Sequence, residues 1–241
     1  MSCCKTTVPR FLIVHFFALL MMGCTAPLPQ GAYTPNFKDS DVQRLATELK
    51  FLSRFMDNPP PLNTIRVGLI QTIELNAASA GQGVFYFTDG FVELRDSRMK
   101  RGVIAHELAH DDLNHVTKKV ATSLVVSVIF FVADTYIPGV GNLDRAVNPI
   151  VTRAYSRTQE LEADAHAIKI LTRAYLSEGL GTGDAQNEAR RTVSHSLERL
   201  RDRYGATSVN LLSTHPAIHE RIARISEARD QVPPSALEPN D

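Results

Sequence analysis

The run His106-Glu107-Leu108-Ala109-His110 constrains this chain more than any other five residues in it. Two imidazoles four positions apart lie about 40° from each other around an α-helix, so a helical segment lets both point at one ion. Glu107 then sits about 100° round from His106, beside such an ion rather than on it, which suits a base acting on metal-bound water. Val103 and Ile104 just upstream give the run a helical context. An H-E-x-x-H run of this kind is a hypothesis that needs further donors from elsewhere in the chain.

Those donors are found some fifty residues on. Glu160-Leu161-Glu162-Ala163-Asp164 falls in a helical pattern, with Glu160 and Asp164 one turn apart on one face. A catalytic zinc site needs a third protein ligand while one position stays open for water, and Glu160 is the candidate. Asp164 is then the acceptor that fixes the tautomer and orientation of a ligating histidine, His106. Glu162 lies about 200° from Glu160 and is expected to face elsewhere. Read alone, Glu160 and Asp164 would be a solvated face with salt bridges; His106 and His110 make the metal reading the stronger one. His115 is a rival third ligand, but on a continuous helix it points about 180° away from His106 and is expected to be structural. Asp111 and Asp112 are expected to be helix surface or locally hydrogen-bonded.

The remainder of the chain frames this site. Its 241 residues, 44% apolar and 22% charged, can bury one substantial core or two small ones. Lys plus Arg and Asp plus Glu both total 26, and this balance argues against a nucleic-acid partner. All three cysteines, Cys3, Cys4 and Cys24, fall near the start, so no disulfide staples the main body. Ser40 can cap a helix whose apolar positions run from Val42 through Leu45, Leu49 and Leu52 to Met56, ended by Asp57-Asn58-Pro59-Pro60-Pro61. Ile65 to Ile73 and Val84 to Thr88 read as strands separated by Gly81 and Gly83. Helical patterns follow at about 90–98, 102–119, 120–133, 145–178, 185–203 and 216–230. Strands early and helices late predict one α+β domain, over 39–232, followed by a disordered tail at 233–241.

Residues 1–23 read as an export signal, with Lys5 and Arg10 ahead of the apolar stretch Phe11 to Met22. Met21-Met22-Gly23-Cys24 resembles the lipobox of bacterial lipoproteins, although Met21 and Met22 stand where Leu and a small residue are preferred. The resemblance implies acylation of Cys24, a membrane partner through that lipid, and, with Thr25 next, placement at the outer membrane facing the periplasm. Residues 24–38 are expected to be a flexible tether. Val120 to Ala133 would span only about 21 Å as a helix, short of a hydrocarbon core near 30 Å. It is read as a buried helix covering the site, the alternative being a membrane-facing or substrate-gating element.

Four blocks then give the chain a resemblance. His106 to His110, Ser156-Arg157-Thr158-Gln159-Glu160-Leu161-Glu162-Ala163-Asp164, Thr214-His215-Pro216 through Arg221-Ile222, and Glu74-Leu75-Asn76-Ala77 followed by Gly83 to Gly90 resemble the gluzincin metallopeptidase family of the CAAX prenyl protease type 1, HtpX, Oma-type and BepA-like proteases. The resemblance implies a mainly helical zincin domain whose small sheet carries a substrate-binding edge strand. It implies one Zn2+ held by His106, His110 and Glu160, with Glu107 as general base and acid. It implies that His215 approaches the zinc, steadying the oxyanion or latching the open position; by residue chemistry alone it could equally cap the next helix. Asn76 and Ala77 would lie on the edge strand that pairs with substrate, or in an ordinary turn. Arg221 would hold the site's carboxylates or pair on a helix surface. The implied activity is hydrolysis of peptide bonds in proteins or peptides, with misfolded envelope proteins as the expected substrates. The alternatives are a zinc-holding periplasmic chaperone or assembly factor with latched activity, and a structural lipoprotein with a coincidental motif.

Overall fold

Four of the helices begin where a side chain satisfies their open backbone groups. A computed structural model describes residues 32–118, 154–204, 215 and 217–230. The expected signal segment, Cys24, the Val120–Ala133 stretch and the 233–241 tail lie outside them. Helix α1, Ser40–Ser53, is capped by Asp39, whose carboxylate accepts from Asp41 N at 2.7 Å. Ser40, expected as the cap, is the first helical residue instead; the carboxylate one position earlier takes the free amides. Val42, Leu45, Leu49 and Leu52 form its buried stripe.

The sheet is built from β1 (Ala32–Tyr33), β2 (Arg66–Ile70), β3 (Ala77–Gly81) and β4 (Val84–Thr88), in the order β1-β2-β4-β3. β2 and β4 run parallel, while β1 pairs antiparallel with β2 and β3 antiparallel with β4. β1 falls inside the segment expected to be a tether: Ala32 and Tyr33 pair with Ile70 and Leu69, and Tyr33 Oη donates to Asp89. β3 and β4 are joined through Gly81-Gln82-Gly83, all three at positive φ, where two glycines carry no steric cost. Phe85 and Phe87 turn inward from β4 and are fully buried. The order leaves β3 as an edge strand.

Helix α2, Asp89–Glu93, follows directly, capped by Thr88. Helix α3, Ser97–Asp112, is capped by Asp96. Helix α4, Arg157–Ser177, starts in a capping box in which the Ser156 hydroxyl accepts from Gln159 N and the Gln159 amide oxygen accepts from Ser156 N. Helices α5, Thr182–Tyr204, and α6, Ile218–Asp230, complete the described elements. The helical patterns read at 90–98 and 102–119 thus divide differently: the break falls between Glu93 and Ser97, because Asp96 caps α3.

α3 lies at the centre, against β3, α1, α4 and α5. It carries His106, Glu107 and His110 yet is buried on nearly every side from Met99 to His110. Its close approach to α5 requires Gly102: a Cβ there would stand 2.0 Å from Ser196 Oγ and 2.8 Å from Thr192 O. A central helix with polar residues facing inward must find partners for each of them.

Candidate metal centre

α3 and α4 cross so that His106 and His110 face the first turn of α4. The capping box at Ser156 sets where α4 begins, and so places Glu160 and Asp164 one turn apart toward α3. His215 enters from the segment before α6; Ala217, at φ 66°, turns the chain into that helix, and Arg221 follows on its first turn. Glu107, His110 and Glu160 are fully buried, and His106, Asp164, His215 and Arg221 nearly so.

Donor atoms of His106, His110, Glu160 and His215 all lie within 4.8 Å of one another. His106 Nε2 stands 3.0 Å from His110 Nε2 and 3.3 Å from His215 Nδ1. Glu160 brings Oε1 to 3.3 Å from His110 Nε2 and Oε2 to 3.4 Å from His106 Nε2, with Oε1 also 3.0 Å from His215 Nδ1. Ligands at about 2.0–2.1 Å from a tetrahedral zinc stand about 3.3 Å from each other, so these spacings fit such an ion. Glu107 lies beside the cluster, with Oε1 3.4 Å from His215 Nε2 and without a good hydrogen bond.

Charge points the same way. Glu107, Glu160 and Asp164 bring three buried carboxylates, against which Arg221 is the one buried guanidinium among the described residues. Its Nε and Nη2 each donate to Asp164 at 2.7 Å, and its Nη1 lies 2.5 Å from Glu160 Oε2. A divalent cation beside these carboxylates would add positive charge that Arg221 alone does not supply. Burial works against the Glu160 carboxylate, but His215 and Arg221 hold its pKa well below the usual range. Burial also disfavours the Asp164 anion, and Arg221 nevertheless brings it down to about 2. His106 is pushed down by burial and by Arg221, yet its hydrogen bonds to Asp164 and Glu160 raise it to about 9. Burial drives His110 well below its ordinary value, which keeps its lone pair available.

Asp57, Asp112 and His166 form a second cluster of possible donors. There Lys169 Nζ and Arg173 Nη1 already pair with Asp57, at 2.7 and 2.8 Å, and Asp112 is saturated by Asp57 N, Asn58 N and His166 Nε2. Cations and donors of the protein itself serve those carboxylates, so the α3–α4 cluster is the stronger metal candidate.

Several surroundings differ from expectation. Asp111 and Asp112 are neither surface nor local. Asp112 ties the end of α3 to residues 57–58 and to α4. Asp111 accepts from Gly83 N at 3.0 Å and Ser79 Oγ at 3.3 Å, fastening the β3–β4 turn to α3. His115 does not face away: α3 ends at Asp112 and Asn114 takes φ 55°, which returns the His115 ring to 3.0 Å from His110 Nδ1. Periodicity fails there because the helix stops. Glu162 faces away from the metal cluster and meets His115. Tyr155 stacks on the His110 ring at 3.8 Å between centroids, a contact no spacing in the sequence signals. Asn76 stands just before β3 and Ala77 begins it; neither joins the cluster, and the Asn76 side-chain oxygen is buried without a hydrogen-bond partner. One residue pair along, Ser79 N donates to Glu107 Oε2 at 2.7 Å, so the edge strand itself holds the Glu107 carboxylate.

Residues 38–229 match Peptidase family M48. Among similar proteins, the chain is 27% identical over 241 positions to a protease HtpX homologue of Acidiphilium cryptum, covering 86% of this chain and 78% of the relative. It is 25% identical over 218 positions to a protease HtpX homologue of Desulfatibacillum aliphaticivorans, covering 77% and 70%. A third, from Burkholderia multivorans, is 29% identical over 192 positions, 67% of each chain. The outer-membrane, lipid-anchored placement expected from Cys24 is corrected: the similar proteins are protease HtpX homologues, and nothing in that likeness is a lipoprotein of the outer membrane. The lipobox resemblance rests on four residues, two of which depart from the pattern, whereas the likeness to these proteases extends over most of the chain. Among the described residues no helix is long and apolar enough to cross a membrane. With its buried histidine–glutamate cluster and a match that takes in strands β2 to β4, helices α1 to α5 and nearly all of α6, the chain belongs to Peptidase family M48, a family of metal-dependent proteases.

Proposed function

We propose that this chain is a zinc-dependent endopeptidase whose substrates are misfolded proteins of the bacterial cell envelope. The observation that carries the reading is the convergence of His106, His110, Glu160 and His215 donors beside the buried Glu107. Kinship with proteins named protease HtpX homologue supports the proteolytic activity. His106, His110 and Glu160 would hold the zinc, which supplies a Lewis acid able to activate water and polarise a carbonyl. Glu107, steadied by Ser79 N, takes the proton of the attacking water at its free Oε1 and passes it to the departing amine. Asp164 holds the His106 ring through Nδ1 at 3.0 Å, and Arg221 holds Asp164 and Glu160 in turn. Asn76 and Ala77, at the start of edge strand β3, are placed to pair with an extended substrate backbone.

His215 supports a resting form. Its ring stands at a fourth corner of the donor set, where water or substrate must enter. That position favours, as a second reading, a zinc-holding chaperone or assembly factor with latched activity. Zinc analysis and degradation of a denatured casein-type substrate test both. Glu107→Gln is expected to keep one zinc per chain and lose at least about a hundredfold in hydrolysis. His215→Ala is expected to keep the zinc and degrade casein faster than wild type. Full activity in Glu107→Gln sinks the protease mechanism, and an inactive His215→Ala with intact Glu107 favours the chaperone reading.

A further inference from the structure

We propose that His115 and Glu162 form a relay that positions the second metal-ligating histidine, His110. This rests on the zinc reading given above and extends it to residues outside the donor cluster. His110 presents Nε2 to the cluster, 3.0 Å from His106 Nε2 and 3.3 Å from Glu160 Oε1. Its other nitrogen, Nδ1, meets His115 Nδ1 at 3.0 Å, and His115 Nε2 lies 3.2 Å from Glu162 Oε2.

These contacts fix where each proton sits. An imidazole that offers the Nε2 lone pair to a metal carries its proton on Nδ1. His110 Nδ1–H therefore donates, and His115 Nδ1 must accept. A neutral His115 that accepts at Nδ1 bears its proton on Nε2, and that N–H donates to the Glu162 carboxylate. The reverse arrangement would turn the His110 lone pair toward His115 and a hydrogen toward the ion. His106 reaches the same result in one step, through Asp164. His110 needs two steps because its Nδ1 faces the turn after α3, not the acidic face of α4. The break at Leu113–Asn114 is what delivers His115 there. His115 is wholly buried while the Glu162 side chain is half exposed, so the relay runs from the buried ligand to the surface of α4.

Tyr155 completes the setting by stacking on the His110 face, leaving the ring edge as the direction His115 controls. Packing alone would require only that His115 fill its space. The relay requires an acceptor at the Nδ1 position, and this distinction is measurable.

The test is zinc affinity of the full chain, by competition with a chromophoric chelator, together with the ligand-field spectrum of the Co2+-loaded protein. His115→Phe fills the space but accepts nothing, and is expected to bind zinc about 10- to 100-fold more weakly with an altered Co2+ spectrum. His115→Asn places an oxygen near the Nδ1 position and is expected to stay within about threefold of wild type. Glu162→Leu, at the exposed end, is expected to weaken zinc binding less than His115→Phe but measurably. Should His115→Phe fail to fold, Glu162→Leu and His115→Asn carry the test. Unchanged affinity in His115→Phe or in Glu162→Leu overturns the relay, and so does His115→Asn losing as much as His115→Phe. A wild-type chain that takes up no zinc overturns the metalloenzyme reading itself.

Discussion

Arg221 is the residue on which two buried carboxylates of the site, Asp164 and Glu160, jointly depend. Its guanidinium meets Asp164 through two nitrogens and Glu160 through the third. Burial alone would lower its pKa, but Asp164 and Glu160 raise it above the ordinary arginine value, so it stays charged. Removing one partner of a buried ionic group leaves the others uncompensated. Arg221→Leu is therefore expected to cost the metal-free chain about 3–5 kcal/mol in urea unfolding. A loss below about 1 kcal/mol would mean that the pairing only breaks even against its desolvation. At this scale the sequence was legible where periodicity applied. His106, His110, Glu160 and Asp164 come together from i,i+4 spacing on two helices, and each spacing survives in the structure. Tyr155 and His115 were not legible in the same way. The first acts through a ring face, and the second depends on a helix ending at Asp112, short of the 102–119 pattern.

Two elements decide how rigidly those residues are held. α3 packs against α5 at Gly102, where no space exists for a methyl group. Ser196 Oγ could rotate aside, but Thr192 O is backbone and cannot. Gly102→Ala is expected to destabilise the chain by about 1–3 kcal/mol despite the better helix propensity of alanine, measured by urea unfolding. A gain in stability would show that α5 gives way without strain.

Asp112 secures the other end of α3. Burial disfavours its charge, but His166 and the amides of Asp57 and Asn58 hold its pKa below the usual carboxylate value. A depressed folded pKa gives stability that is present above the unfolded value, about 3.9, and is lost as pH falls through the folded one. Asp112→Asn should therefore be most destabilising near neutrality and converge on wild type as pH falls below about 4. Urea midpoints across that range check this, and a pH-independent difference would assign the loss to geometry alone. The sequence announced α3 but not this tether, because Asp112 has no partner nearby in the chain: Asp57 and His166 each lie more than fifty positions away.

Among the described residues a small sheet and a set of helices carry the candidate metal centre, and the sheet's edge strand touches that centre through Ser79. A metal that binds only the folded state stabilises it by mass action. With zinc at a thousandfold excess over its dissociation constant, the gain is about 4 kcal/mol, or roughly 8–16 °C in Tm for a chain of this size. Chelation should remove that increment and re-addition of zinc restore it, as read by thermal unfolding; a Tm indifferent to chelator would speak against a metal held between α3 and α4.

What the sequence by itself determined is the class of fold, the helices bearing the candidate donors, and the pairing of His106 with His110 and of Glu160 with Asp164, since i,i+4 spacing is a local property of a helix. Tertiary structure decided which distant groups complete them. The crossing of α3 and α4 set the donor spacings, the turn at Ala217 brought in His215 and Arg221, and the break at Asn114 brought His115 to His110. Such contacts rest on where chain segments meet in space, and residue periodicity carries no information about that.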